Sequence, residues 1–222
     1  MSDAPVTLLG GGAVGPGVLA EALARAPVLV AADGGADAAL AAGRTPAAVI
    51  GDFDSISRHA RRRLSPEILY EVLEQDSTDF DKALRLIDVP LSLAVGFTGA
   101  RLDHELAVFH TLAARPERRC IVIGDRDVVF LAPPRIALDL APGTRVSLFP
   151  MAEVSGRSEG LRWKIDGLAF HPARRIGTSN AALHGPVRLE AHGPGLLVIL
   201  PRDALDAVIA GLAAAGTERW GV

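Results

Sequence analysis

Val49-Ile50-Gly51-Asp52-Phe53-Asp54-Ser55 is an apolar run that ends at a glycine and hands over to two acids with one residue between them. On an extended backbone Asp52 and Asp54 point to the same side. Like charges held that close repel unless a cation sits between them, and Mg²⁺ favours one or two carboxylates together with phosphate oxygens. The same residue types also make ordinary turns. A metal site and a turn are therefore both open at this stretch, and the surrounding chain has to decide between them.

Working outward, further apolar runs at residues 6–9, 28–32, 68–73, 91–95 and 120–123 read as strands, alongside 47–50. Between them, residues 18–26, 36–42, 57–64, 80–87 and 103–114 carry helical spacing, with Pro66 closing the third of these. Strands alternating with helices predict a doubly wound, mostly parallel α/β sheet of Rossmann-like form. Beyond residue 124 the pattern changes to short apolar runs separated by Gly and Pro, at 128–131, 145–149, 161–165, 187–191 and 196–200, with one helix at 203–214. That predicts a smaller antiparallel β-sandwich or barrel with a C-terminal helix. The expected division is residues 1–132 for the α/β domain and 133–222 for the β domain, near Ala132-Pro133-Pro134.

Gly10 to Gly12, Asp33, Asp52 with Asp54, Asp76 with Asp79, and Gly96 to Asp103 each follow a predicted strand. Ligands of open α/β sheets bind outside the carboxyl ends of the strands, so these groups are expected along one sheet edge. Gly10-x-Gly12-x-x-Gly15, with Asp33 18 residues after Gly15, also fits a dinucleotide fingerprint. A nicotinamide enzyme would leave Asp52, Asp54, Asp76 and Asp79 without a role, so a phosphate-binding or tight-turn role suits the glycines better. In Asp76-Ser77-Thr78-Asp79-Phe80-Asp81-Lys82-Ala83-Leu84, Thr78 is a helix N-cap, and Asp79 and Asp81 suit the first turn. Lys82 lies on the same face as Asp79, and carboxylate, lysine and helix start together suit a metal-bound polyphosphate. In Gly96-Phe97-Thr98-Gly99-Ala100-Arg101-Leu102-Asp103-His104, Arg101 can clamp phosphate oxygens and Asp103 can orient it, or Asp103 can serve only as an N-cap beside an idle His104.

Bulk properties exclude several classes. The 222 residues are 49% hydrophobic, enough for a sizeable core, and no apolar run approaches the ~20 residues of a membrane span. A net charge of -3 argues against general nucleic-acid binding, and Arg61-Arg62-Arg63 reads as a solvated helix face. The one cysteine, Cys120, sits in an apolar run, which fits a core role and a cytoplasmic location. Met1-Ser2-Asp3-Ala4-Pro5 lacks the features of a leader peptide, and the six histidines lack metal-ligand spacing.

Taken together, Ala32-Asp33-Gly34-Gly35-Ala36, Gly51-Asp52-Phe53-Asp54-Ser55, Asp76 to Leu84 and Gly96-x-x-Gly99-x-Arg101-x-Asp103-His104 resemble the thiamine pyrophosphokinase family in order and spacing. Gly160-Leu161-Arg162-Trp163 and Gly177-Thr178-Ser179-Asn180 extend the resemblance through the β part, while Ala100 departs from a second glycine usual in the family. The resemblance implies transfer of pyrophosphate from ATP to thiamine, giving thiamine diphosphate and AMP with Mg²⁺, in a homodimer whose active site lies at the subunit interface. It implies Asp33, Asp52, Asp54 and Asp79 as metal ligands, with Gly34, Asp76, Thr78, Asp103 and His104 at the nucleotide. Lys82 and Arg101 would contact phosphate, and Trp163, Ser179 and Asn180 would hold thiamine, against the alternative of a buried structural tryptophan. Either Asp54 or Asp79 would accept the hydroxyl proton. Rival readings are a Mg²⁺-dependent phosphohydrolase with Asp52 as nucleophile, an NAD-dependent oxidoreductase, and a non-enzymatic ligand sensor.

Overall fold

A computed structural model describes residues 4–216 and 219–221. Met1 to Asp3, part of the stretch read for a leader, lie outside the described residues. The chain divides into two compact units, Met1–Thr111 with Arg119–Asp125, and Leu112–Arg118 with Arg126–Val222.

The first unit is built on strands β1 (Val6–Leu9), β2 (Val28–Ala32), β3 (Ala48–Gly51), β4 (Leu69–Glu71), β5 (Ser92–Val95) and β6 (Cys120–Ile123). They pair in the order β6-β5-β1-β2-β3-β4, every pair parallel. Five of the six are buried along their whole length or nearly so, as the near-continuous apolar sequence of a covered parallel strand requires. Helices α1 (Val18–Arg25), α2 (Gly35–Ala41), α3 (Arg58–Arg63), α4 (Asp79–Leu86) and α5 (Leu102–Ala114) intervene. Strand order runs outward from β1 to β4 and then returns to β5 on the other side of β1. That reversal is a topological switch point, and the loops after β1 and β5 part around it.

Two of the helix starts are fixed by side chains predicted or readable in sequence. Thr78 Oγ1 accepts the Asp81 N–H at 3.3 Å at the head of α4, and Ser57 Oγ accepts the Ala60 N–H at 3.0 Å at the head of α3. A cap of this kind contributes about 1 kcal/mol. Gly35 is dictated by space, since a Cβ there would stand 2.0 Å from the Leu9 carbonyl oxygen. Its absence lets α2 start against the end of β1.

In the second unit, β7 (Asp127–Leu131), β8 (Arg135–Leu138), β9 (Arg145–Pro150), β10 (Val154–Glu159), β11 (Ala169–Phe170), β12 (Gly177–Ala181), β13 (Val187–Ala191) and β14 (Leu196–Pro201) precede α6 (Leu205–Ala214). They form two antiparallel sheets, ordered β12-β9-β14-β7 and β11-β10-β13-β8. The sheets meet where a Cβ on Gly177 would lie 3.1 Å from the Phe170 ring. The strand expected at 161–165 does not form: only Leu161 makes an isolated bridge, to Ala182. Strands β8, β10, β11 and β12 stand where no strand was expected from the sequence.

No helix among the described residues is long and apolar enough to cross a membrane.

Candidate active site

The edge of the first sheet carries a cavity of about 530 Å³. It is lined after β1 by Gly11 and Gly12, after β2 by Gly34, after β3 by Asp52 and Asp54, from α4 by Asp79 and Lys82, and after β5 by Arg101 and His104. Most of the strand-end groups singled out in sequence thus converge, while Asp33 and Asp103 are outside the lining. The glycines make this possible at the switch point, where the Gly12 N–H donates to the Gly96 carbonyl at 2.9 Å and a Cβ on Gly12 would lie 2.6 Å from that oxygen.

Asp52 and Asp54 are brought together by a turn, not by an extended strand end. Phe53 between them takes a left-handed φ of 63° and buries its ring among Ala31, Ala36, Val49, Ile56, Ala60 and Leu64. The Asp54 N–H then donates to Asp52 Oδ1 at 3.4 Å. The turn that the sequence allowed is thus also what brings the two carboxylates together.

Asp33 follows β2 at a φ of 39°, 1% exposed, and its Oδ2 accepts the Ser55 N–H at 3.4 Å. Among the described residues its Oδ1 is buried without a hydrogen-bond partner. One oxygen from each of Asp33, Asp52 and Asp54 lies within 4.8 Å of the others. Burial first, then the charge of Asp79, pushes the Asp33 carboxyl up to about 6. An orphaned carboxylate oxygen facing two further carboxylates is the donor set of a hard divalent cation, so the residues present fit one.

Lys82 is 2% exposed, and its Nζ lies 2.8 Å from Asp52 Oδ2 and 3.5 Å from Asp79 Oδ1. Burial alone would lower its pKa, but the Asp52 hydrogen bond and the Asp79 charge outweigh it and leave the ammonium above its ordinary value. The hydrogen bond from Lys82 holds Asp52 down at about 2. Lys82 therefore balances the acids directly while also lining the cavity. Asp79 stands outside the trio, raised chiefly by burial.

Arg101 and Asp103 form a bidentate pair, Nη2–Oδ2 at 2.6 Å and Nε–Oδ1 at 3.2 Å, both exposed. Asp103 lies inside the first turn of α5 and holds the guanidinium. Thr78 lines the cavity as well as capping α4, whereas Asp76 is exposed and outside the lining.

Three contributors escaped the sequence reading. Gln75 donates to Asp52 Oδ2 at 3.2 Å. Asp37, in the first turn of α2, accepts both the Ser57 N–H at 2.8 Å and the Ser57 hydroxyl, pinning the segment that follows Asp54. Phe97 packs on Phe80 at 4.7 Å between ring centroids, bracing α4 against the loop after β5. Gln75 adjoins a quoted acid and Asp37 follows Gly34 by three residues, which is the only signal either offers.

In the second unit, Trp163 is 57% exposed with the Arg162 guanidinium 5.2 Å from its ring centroid, so it is not a buried structural tryptophan. Ser179 is exposed, and Asn180 is buried against the Trp163 backbone.

Residues 19–123 match the family model described as thiamin pyrophosphokinase, catalytic domain. Among curated proteins, thiamine pyrophosphokinase 1 of Oryza sativa subsp. japonica is 29% identical over 163 residues, 65% of this chain and 62% of the relative. The match thus spans under two thirds of that relative's length. Among solved structures, a thiamine pyrophosphokinase from Bacillus subtilis aligns over 89% of this chain and 98% of its own, with 22% identity and a TM-score of 0.71. Thiamin pyrophosphokinase from Candida albicans aligns over 89% of each chain at 15% identity and a TM-score of 0.75. At those identities the two structures establish a shared fold.

Proposed function

We infer that this chain is a member of the thiamine pyrophosphokinase family it resembles and transfers a pyrophosphoryl group from ATP to the hydroxyethyl oxygen of thiamine, giving thiamine diphosphate and AMP. The observation that carries the reading is the carboxylate trio with its orphaned Asp33 oxygen, set beside a buried lysine at the mouth of a parallel sheet.

Asp33, Asp52 and Asp54 would hold Mg²⁺, which when bound neutralises phosphate charge and orients the polyphosphate. Lys82 keeps Asp52 ionised and in place. The glycine loop after β1 admits phosphate close to the backbone, and Arg101, held as a planar fork by Asp103, meets phosphate oxygens. Asp79 lines the cavity but is not in the trio, so it is the carboxylate left to accept the hydroxyl proton. The thiamine oxygen forms its bond to the β-phosphorus, and the bond from that phosphorus to the bridging oxygen of AMP breaks. Trp163 offers an exposed, electron-rich ring face to the cationic heteroaromatic substrate. The working form is proposed to be a cytoplasmic homodimer, with sedimentation velocity as the check on its assembly.

Two rivals lose ground on geometry. Asp52 Oδ2 already takes hydrogen bonds from Lys82 and Gln75 and Oδ1 takes the Asp54 N–H, a poor state for an attacking nucleophile. Asp33 is buried, so it does not present its carboxylate to a nicotinamide ribose. The test is incubation with ATP, Mg²⁺ and thiamine followed by product identification. AMP with thiamine diphosphate supports the reading; ADP, or no thiamine-dependent product, sinks it.

A further inference from the structure

We propose that Asn180 is a positioning residue, which fixes the Trp163 peptide and through it the direction of the exposed ring, instead of meeting the substrate itself. The substrate half of this rests on the functional reading above; the clamp rests on geometry alone.

The local sequence explains how the side chain comes to point inward. Strand β12 pairs with β9 at Gly177 and again at Asn180, with a register shift between them. Within the bulge Ser179 adopts a left-handed φ of 62°, and its N–H donates to Ser147 Oγ at 3.0 Å. A bulge re-aims the next side chain. Asn180, now 7% exposed, presents its amide edge to the neighbouring chain.

There it takes the place of a strand. The Leu161–Ala182 bridge and the bond from the Arg162 N–H to the Ala181 carbonyl at 2.9 Å carry backbone pairing as far as Arg162. At Trp163 the amide of Asn180 takes over, its Oδ1 accepting the Trp163 N–H at 3.1 Å and its Nδ2 donating to the Trp163 carbonyl at 2.7 Å. Oδ1 also accepts the Ala181 N–H at 2.9 Å. Both acceptor positions and one of two donors are therefore used, so at most one N–H is left for a ligand.

The ring needs such a clamp. A tryptophan that is 57% exposed is not oriented by core packing. Its direction comes from its own backbone and from the Arg162 guanidinium over one face. Removing the Asn180 amide frees the Trp163 N–H and carbonyl together and lets the ring sample other directions.

The experiment is ¹⁵N-indole NMR, in which the two tryptophans give separate signals, combined with steady-state kinetics on Asn180→Ala. The Trp163 resonance is expected to shift and broaden without substrate, while KM for thiamine rises about tenfold and KM for ATP stays within about twofold. A raised KM with an unmoved Trp163 signal would overturn the proposal, because Asn180 would then be a direct ligand. A displaced Trp163 signal with unchanged KM would overturn it equally. Should Asn180→Ala fail to fold, Asn180→Asp keeps the acceptor for the Trp163 N–H and sets an oxygen against its carbonyl where the donor stood; the same pair of readouts is expected to move in the same direction. A parent chain that forms no AMP from ATP and thiamine would sink the functional reading, and the NMR arm would still decide the clamp.

Discussion

Replacing Asp33 by asparagine removes a charge that the fold holds at a cost. An aspartate in an unfolded chain titrates near 3.8, whereas in the folded protein burial and the neighbouring Asp79 charge raise Asp33 to about 6. The folded state therefore binds that proton more tightly than the unfolded state does. The resulting stability is fully present below about pH 4 and is lost as pH rises through 6, the window between the two values. Two pH units correspond to about 3 kcal/mol, all of it lost by neutral pH. Asp33→Asn leaves no carboxylate to ionise, and the asparagine oxygen can still accept the Ser55 N–H. In EDTA at pH 8 the variant should melt roughly 6–12 °C above the parent, taking about 2–4 °C per kcal/mol for a chain of this size. At pH 4 the two should melt close together. Adding Mg²⁺ at pH 8 should raise the parent's Tm and leave the variant's nearly unchanged, since one of the three proposed ligands is gone. Thermal unfolding followed by circular dichroism measures all of this. Equal differences at pH 4 and pH 8, or no gain at pH 8, would refute the reasoning that ties the buried carboxylate to a cation site.

Three other substitutions probe the same edge of the sheet. Asp52→Asn should keep its far-UV spectrum while AMP formation falls by roughly 100-fold or more; a variant as active as the parent would remove Asp52 from the site. Lys82→Met leaves Asp52 and Asp79 without their buried counter-charge, and should cost about 3 kcal/mol in urea unfolding at pH 7. An unchanged midpoint would mean that the lysine is no keystone of the acid cluster. Gly35→Ala sets a methyl 2.0 Å from the Leu9 carbonyl and should lose about 1–3 kcal/mol, with full stability in the same assay counting against the close approach.

The parallel sheet was legible because its strands are buried on both faces. Val28–Ala32 and Cys120–Ile123 are apolar residue after residue, and each ends at a glycine or an acid. The antiparallel strands hide better. Strand β10 reads VSGRSE and buries only alternate positions, two of them a glycine and a serine, so no apolar run announces it. The reverse error occurred at Leu161 to Ile165, where an apolar pattern suggested a strand. There the partner of the Trp163 backbone is a side chain, Asn180, which no local pattern can reveal. At the site, the residue types were readable from their place at strand ends. Their pairing was not: Lys82 joins Asp52 across 30 residues, and Ser57 joins Asp37 across 20. Those distances in sequence are closed only by the sheet.

Phe53 has a consequence for how this protein can change over time. The spacing of Asp52 and Asp54 is set by a ring lodged among Ala36, Ile56, Ala60 and Leu64, side chains that carry no polar group. On the proposed reading, affinity for a divalent cation and core packing are thus written on the same few residues. A sequence drifting in that cluster would retune the cation site without altering a single carboxylate, and a bound cation would in turn shelter the cluster from otherwise harmful substitutions.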